Sequence, residues 1–316
     1  MSWHDQLYDL TPVELRNGRW YKREDLFAPL GQESINGSKL RQLVWLVHRA
    51  NPRGVVTGAS VLSPQISMTA LVAKHYGLPC IVVLGGTRAE TAIRHPNVRI
   101  ASAAGAQFIF TPVGYNPALQ KAVGEAEAQL PGYYRVCYGI TTPKGAEDEQ
   151  VEAFHAVGAH QVGNVPPSVR TLVIAAGSCN SCVSVLYGLA RQPPPNLERV
   201  VLIGIGPTRL DFIDDRLAAI ERVSGVKLGR HYARKYHHHP TPAGGGDVLL
   251  EHYDLHSTGW TTYQQRRPWS QDGIDFHPTY EGKMMAYLNE RPSRFPWFHD
   301  SDQDALVWIV GAEPHA

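Results

Sequence analysis

Asn36-Gly37-Ser38-Lys39-Leu40-Arg41-Gln42-Leu43-Val44-Trp45-Leu46-Val47 places a turn directly ahead of an apolar stripe. Leu40, Leu43, Val44 and Val47 follow the i, i+3, i+4, i+7 spacing of a helix packed on a core, and Asn36-Gly37-Ser38 supplies the turn and cap that start it. Lys39 falls in the first turn, on the face shared with Leu43 and Leu46. A lysine at the edge of an apolar layer loses its proton more easily than one in water, because desolvation disfavours the ammonium form. A neutral amine is what Schiff-base chemistry requires. The competing reading is a solvated lysine in a first helical turn, and only the rest of the chain separates the two.

Around this helix, short apolar runs alternate with helical patterns. Val55-Val56-Thr57, Ile81-Val82-Val83-Leu84, Gln107-Phe108-Ile109-Phe110, Thr171-Leu172-Val173-Ile174, Val200-Val201-Leu202-Ile203 and Leu306-Val307-Trp308-Ile309-Val310 read as buried strands. The pattern predicts an α/β chain with parallel sheets. A helix fits between the first two runs, with Ser63 as N-cap, Pro64 at the first helical position and Met68 through Tyr76 as its body. Its N-terminus would face an anion well. Residues 143–165 are richer in polar residues, glycine and proline and read as a link between two sheets. The expected division is a smaller domain at 50–150 and a larger one made of 1–49 and 151–316. From Gly225 to Pro278 the pattern predicts no regular structure beyond a short strand at Val248-Leu249-Leu250, with Gly244-Gly245-Gly246 as a flexible turn. No internal repeat is apparent.

Composition narrows the function classes. The chain has 316 residues, of which 43% are hydrophobic and 19% charged, as in a folded globular protein rather than a disordered or fibrous one. No apolar run approaches the roughly 18 to 20 residues that span a bilayer. The start Met1-Ser2-Trp3-His4-Asp5-Gln6 lacks a basic region followed by an apolar one, so a cytoplasmic location with no membrane partner is expected. A net charge of +1 points to no partner. Cys179 and Cys182 form a C-x-x-C pair, but Cys80 and Cys137 are isolated, so no second pair stands at zinc-ligand spacing and no metal site is expected. His237-His238-His239 reads as a solvated basic loop.

Two further stretches carry chemistry. After the strand Thr171 to Ile174, Ala175-Ala176-Gly177-Ser178-Cys179-Asn180-Ser181-Cys182 leads into a helical stretch from Val183 to Arg191. A strand, a loop of small residues and a helix start present several N–H groups and hydroxyls to one point, which suits a phosphate. The loop lacks the lysine of a P-loop and the glycines of a dinucleotide fingerprint, and small residues also permit tight strand-to-helix packing. Near the C-terminus, His277-Pro278-Thr279-Tyr280-Glu281-Gly282-Lys283 reads as a turn into a helix whose first turn carries Glu281, where the dipole favours a carboxylate.

Together these stretches resemble the fold type II pyridoxal-phosphate enzymes (the tryptophan synthase beta-like fold), and within them the branch of aminocyclopropane-carboxylate deaminase and D-cysteine desulfhydrase. Tyr21-Lys22-Arg23-Glu24-Asp25-Leu26 followed by Asn36 to Arg41 is similar to the branch's lysine motif, Gly177 to Ser181 to its phosphate loop, and Pro278-Thr279-Tyr280-Glu281-Gly282-Lys283 to its late tyrosine motif. The three stand in the family's order and cover most of the chain. The resemblance implies that Lys39 holds pyridoxal 5'-phosphate as a Schiff base and shuttles a proton at the substrate Cα. It implies that Gly177, Ser178, Cys179, Asn180 and Ser181 bind the phosphate and that Ser63 and Gln65, with the N–H groups of their helix, hold the substrate carboxylate. Tyr280 would donate or accept a proton near the substrate, and Glu281 would contact the pyridine nitrogen. A carboxylate there keeps the ring protonated and favours chemistry through a developed quinonoid carbanion, such as ring opening, decarboxylation or racemisation.

Two departures bear on the substrate. Where the branch has Ser-Asn-Gln, this chain has Ser63-Pro64-Gln65, without the side chain expected to meet the cofactor ring. The segment from Lys227 to His239, followed by Arg266-Arg267, is basic and interleaved with tyrosines; it reads as a solvated charged surface, or more sharply as a phosphate-tracking surface. The leading expectation is a lyase or deaminase that labilises a Cα bond of a small free amino acid. The alternative is an enzyme that tailors, for example decarboxylates, an amino-acid adduct on a DNA pyrimidine in a viral base-modification pathway. A third reading, a non-catalytic cofactor-binding protein, is opposed by the intact Lys39, Tyr280 and Glu281. The resemblance also implies a homodimer.

Overall fold

The apolar runs become strands because β-branched and aromatic side chains fit a pleated surface covered on both faces. The computed structural model describes residues 6–31, 35–112, 114–239, 245–299, 304–311 and 313; Met1 to Asp5, Gly244 and the Arg230 side chain, which enter the expectations above, lie outside it. Thirteen strands are present among the described residues: β1 Val13–Arg16, β2 Arg19–Arg23, β3 Gly54–Gly58, β4 Cys80–Gly85, β5 Gln107–Thr111, β6 Tyr133–Val136, β7 Thr171–Ala176, β8 Arg199–Gly204, β9 Tyr232–His237, β10 Val248–Asp254, β11 Trp269–Gln271, β12 Ile274–Phe276 and β13 Ala305–Ile309. All six strands expected from the apolar runs are there, each within two residues of its expected bounds.

The chain forms two compact units. The larger comprises Met1–Phe27 and Glu147–Glu313, the smaller Ala28–Ala146 and Pro314–Ala316. In the larger unit a seven-stranded sheet runs in the order β1-β2-β13-β7-β8-β10-β9. Every pairing in it is parallel except the β1–β2 hairpin. Val173, Val201, Ile203 and Val307 from this sheet share a core with Met284, Met285 and Leu288 of the helix Glu281–Asn289.

Two segments of this unit depart from expectation. The supposed link at 143–165 contains a twelve-residue helix, Asp148–Ala159, with Val151, Phe154, His155 and Val157 buried. It packs on the helices Asn180–Arg191 and Leu210–Ser224. Gly158, one of the glycines that read as a link, serves close packing, as does Gly188 on the facing helix: a Cβ on Gly158 would lie 2.9 Å from the Ser184 Cβ, and one on Gly188 would lie 2.3 Å from the Ala159 carbonyl oxygen. The second departure is 225–278, where β9 extends the sheet, β10 runs through Asp254, and β11 and β12 form a separate antiparallel pair.

The smaller unit is an all-parallel sheet in the order β5-β4-β3-β6. Val56 and Val83 pack against Leu119 and Val123 of the helix Asn116–Ala128. The helix Ser38–Ala50 groups with this unit, not with the larger one as expected, and contacts the helix Gln65–His75 and β6. Because the four strands run one way, the segments that follow them emerge on one edge: Ser60 to Ser63 after β3, Gly86 to Arg88 after β4, Gly114-Tyr115 after β5 and Cys137 to Gly139 after β6. No helix among the described residues is long and apolar enough to cross a membrane.

Candidate active site

In the larger unit, β7 runs into Gly177-Ser178-Cys179 and the twelve-residue helix Asn180–Arg191 follows at once. So short a turn needs a left-handed residue, and Cys179 takes that role with φ of 67°. The Cys179 thiol donates to the Gly177 carbonyl oxygen at 3.6 Å, and the Cys182 thiol to that of Ala175 at 3.7 Å. Neither forms a disulfide. Ser178 and Ser181 are half-buried, and Asn180 is buried. A loop of small residues opening a helix is a natural anion cradle, because unsatisfied N–H groups and the helix dipole converge there.

The late tyrosine motif meets this loop. A Cβ on Gly177 would lie 3.2 Å from Cε1 of Tyr280, so glycine is what lets the phenol ring lie against the cradle. The Tyr280 hydroxyl shares a hydrogen bond of 2.8 Å with the hydroxyl of Tyr263, whose ring passes Gly206 just beyond β8. Two phenols thus stand beyond the C-terminal ends of the adjacent strands β7 and β8, the edge where parallel sheets receive ligands. Glu281 is fully buried at the start of its helix, and its Oε1 accepts the Val310 N–H at 2.8 Å. The structure therefore brings together Gly177 to Ser181, Tyr280 and Glu281.

Tyr263 and the role of Lys283 were missed in the sequence. Lys283 is fully buried, and burial, with a further push from Arg267, lowers its ammonium to about 8. It donates to the carbonyl oxygens of Thr262 at 2.7 Å and Tyr263 at 3.0 Å, which fixes the backbone that carries the second phenol. A Cβ on Gly282 would lie 2.2 Å from the Arg267 carbonyl oxygen, so the 262–267 segment is strapped directly onto the motif. Nothing around Thr262-Tyr263-Gln264 in the sequence signals this contact, because it joins residues 17 apart across the β11–β12 pair.

In the smaller unit, Lys39 is the second residue of the helix Ser38–Ala50, which opens after Gly37 with φ of 105°. Leu40, Leu43, Val44, Leu46 and Val47 are buried as the stripe requires, and Lys39 is half-buried beside them. The next helix starts at Gln65, one residue later than expected, with Pro64 in the cap position. The half-buried Ser63 hydroxyl accepts the Gln65 N–H at 3.3 Å. The Gln65 side chain is engaged within its own unit. Its Nε2 donates to Thr57 Oγ1 at 2.8 Å and to the Cys137 carbonyl oxygen at 3.1 Å, while its Oε1 accepts the Gly139 N–H at 2.8 Å. A buried amide so engaged braces β3 against β6, because releasing it for a ligand would leave buried groups unpaired.

The basic segment, read as a solvated charged surface or as a phosphate-tracking one, spends most of its charged and aromatic groups within the protein. Tyr232 is buried and donates to the Leu186 carbonyl oxygen at 2.6 Å; Tyr236 is buried and donates to Asp214 at 3.4 Å. Arg234 pairs with Asp214 at 2.7 Å, Lys235 and His237 approach Glu251 at 3.6 and 3.1 Å, and His239 meets Asp254 at 2.7 Å. Register is the cause, since β9 lies beside β10 with Lys235 opposite Glu251. Arg266 and Arg267 pair with Glu313 and Glu290. Among the described residues, no group of three His, Cys, Asp or Glu side chains is placed to hold a metal ion.

No family model matches the chain. Over 100% of its length, and 84% of the relative's, it is 36% identical to the O-seryl-dTMP PLP-dependent decarboxylase of Salmonella phage ViI. It is 25% identical to the D-cysteine desulfhydrase of Serratia proteamaculans (strain 568), over 85% of this chain and 79% of that one. Among solved structures, an ACC deaminase homologue covers 99% of this chain and 95% of its own with a TM-score of 0.68 at 17% identity, a likeness of fold.

Proposed function

Because the chain belongs to the fold type II pyridoxal-phosphate-dependent enzymes, we propose that it is the decarboxylase of an amino acid carried on a thymine nucleotide of DNA. The observation that carries this reading is the 36% identity, over the whole chain, to the phage O-seryl-dTMP PLP-dependent decarboxylase, against 25% over a shorter span for the desulfhydrase. The residues fit the cofactor. Gly177 keeps the cradle open beside Tyr280, the 177–181 loop meets a helix N-terminus suited to a phosphate, and a fully buried carboxylate stands at Glu281. When bound, the cofactor supplies an electron sink for the pair left on Cα.

The chain's own residues do the rest in this proposal. The N–H groups and hydroxyls of Gly177 to Ser181 bind the phosphate. Lys39 supplies the amine that anchors the cofactor, and Glu281 holds a proton on the ring nitrogen. Ser63 and the N–H groups opening the Gln65–His75 helix orient the substrate, with the Gln65 side chain keeping that helix against β6. The Cα–carboxylate bond breaks, CO2 leaves, and a proton from the Tyr280–Tyr263 hydroxyl pair or from Lys39 takes its place on Cα. Lys283 keeps Tyr263 within reach of Tyr280. A homodimer belongs to the same proposal, and sedimentation of the purified protein checks it.

The test offers the purified holoenzyme seryl-modified thymidine, free and within DNA, beside D-cysteine, D-serine and 1-aminocyclopropane-1-carboxylate. Loss of one CO2 by mass spectrometry from the modified nucleoside is the expected result. Release of ammonia, sulfide or a keto acid from the free amino acids, with no CO2 from the adduct, would favour the lyase or deaminase reading instead.

A further inference from the structure

The edge of the four-stranded sheet that carries Ser63 also carries a run of cations. Between Arg88 and Arg99 the sequence holds three arginines, one histidine and a single acid, Glu90. Arg88, Arg94 and Arg99 are exposed, and among the described residues neither Arg88 nor Arg94 forms an ion pair. Three contacts tie this run to the rest of the edge. The Ser67 hydroxyl donates to Asn97 Oδ1 at 2.8 Å, setting the start of the Pro96–Ala103 helix beside the start of the Gln65–His75 helix, which brings the chain from Arg94 to Arg99 to the end of the sheet that carries Ser63. The two helices pack along their length. At the other end, a Cβ on Gly86 would lie 3.0 Å from the Gly114 Cα, so Arg88 and Tyr115 leave the sheet from touching turns. Tyr115 is 65% exposed, and Tyr138, after β6, is 37% exposed.

Ser63, three arginines and two exposed phenols thus line one edge. Strands lie about 4.8 Å apart, so four of them span about 15 Å. A duplex of that length carries about nine phosphate charges at one per roughly 1.7 Å of axis. We propose that this edge, from Ser63 through Arg88, Arg94 and Arg99 to Tyr115, is a DNA-backbone binding surface that brings a base-borne substrate to Ser63. The arginines contact phosphates and the exposed tyrosines offer faces on which an unstacked base can rest. The inference rests on the decarboxylase reading for its substrate, but its binding claim is tested apart from the chemistry.

The experiment measures binding of a short fluorescein-labelled, unmodified DNA duplex by fluorescence anisotropy across a salt series. It compares the wild-type holoenzyme, Arg88→Ala/Arg94→Ala, the charge-reversed Arg94→Glu, and Lys235→Ala from the ion-paired strand β9. Each phosphate contact contributes about 0.9 to the slope of log K against log salt. The double variant should therefore lose about 2 units of slope, Arg94→Glu at least about 1, and Lys235→Ala none. No measurable binding, an unchanged slope in both arginine variants, or an equal loss in Lys235→Ala would overturn the surface. If wild type fails to decarboxylate the seryl adduct while the arginine-dependent slope persists, the decarboxylase reading falls and the surface stands; if it decarboxylates the adduct while the slope ignores the arginines, the surface alone falls.

Discussion

Two stretches of this chain are rich in basic residues, and the fold treats them oppositely. From Arg234 to His239 nearly every cation faces an acid: Asp214 from the Leu210–Ser224 helix, Glu251 and Asp254 from the neighbouring strand. From Arg88 to Arg99 the cations are exposed on an edge with one acid among them. The first stretch has the higher charge density in sequence, with Tyr236 inside it and Tyr232 just ahead of it, yet both tyrosines are buried and its charges are consumed in holding an edge strand. The contrast teaches that a charge run reports a polyanion site only after its partners in space are known. A cation already paired inside the protein neutralises no phosphate and so releases none of the counterions condensed on DNA.

The largest expected effect asks on which side of that contrast Glu281 belongs. Glutamine can still accept the Val310 N–H through its oxygen, so Glu281→Gln should keep the fold and the cofactor. Turnover should fall on the order of a hundredfold, as when a preorganised charge is removed from an active site. A large drop in melting temperature with turnover per folded molecule unchanged would instead class Glu281 with the structural carboxylates.

Glu251→Gln attacks the paired side directly. Glu251 is buried and faces Arg199 at 3.2 Å as well as Lys235 and His237. Its loss leaves three basic groups around a neutral amide and should cost about 2 kcal/mol of stability, less than a fully buried pair because Arg199 and Lys235 are partly solvated. Chemical denaturation measures this. The same variant should leave the salt dependence of DNA binding unchanged, because β9 is not part of the proposed surface. A changed slope would break the contrast drawn above.

Acid sharpens it further. Burial holds the His252 imidazole, which lies beside His239, down to about 4, and the fully buried His155 down to about 3. In the unfolded chain a histidine takes up its proton near 6.5. Below that pH the unfolded state binds more protons, so stability is lost as the pH falls from about 6.5 toward 4, by about 1.4 kcal/mol per pH unit for each histidine. Melting curves between pH 7 and 5 should show the decline, and His252→Gln should make it shallower. The smallest expected effect is that of Lys235→Ala, a half-exposed cation 3.6 Å from its partner, whose removal should shift stability by no more than about 0.5 kcal/mol.

Much was legible in the sequence because it is local or periodic. The Leu40-Leu43-Val44-Val47 stripe, the six apolar strands and the strand-loop-helix from Thr171 to Arg191 are set by spacing, and their residues lie where that spacing requires. The three motifs in order marked the family and the cofactor, since each is a short run whose chemistry sits in adjacent residues. Tertiary structure decided what depends on partners distant in sequence. Only packing shows that Gly158 is a helix contact and not a loop signal, that the Gln65 amide is spent on β6 and the 137–139 turn, and that Tyr263 stands against Tyr280 behind a buried Lys283. Register gave Lys235 its acid, while the parallel order of four strands set Arg88, Tyr115 and Ser63 on one edge. A side chain's type and its neighbours in sequence fix what it can do, but burial and the charges that face it across a sheet or helix contact fix what it is left to do.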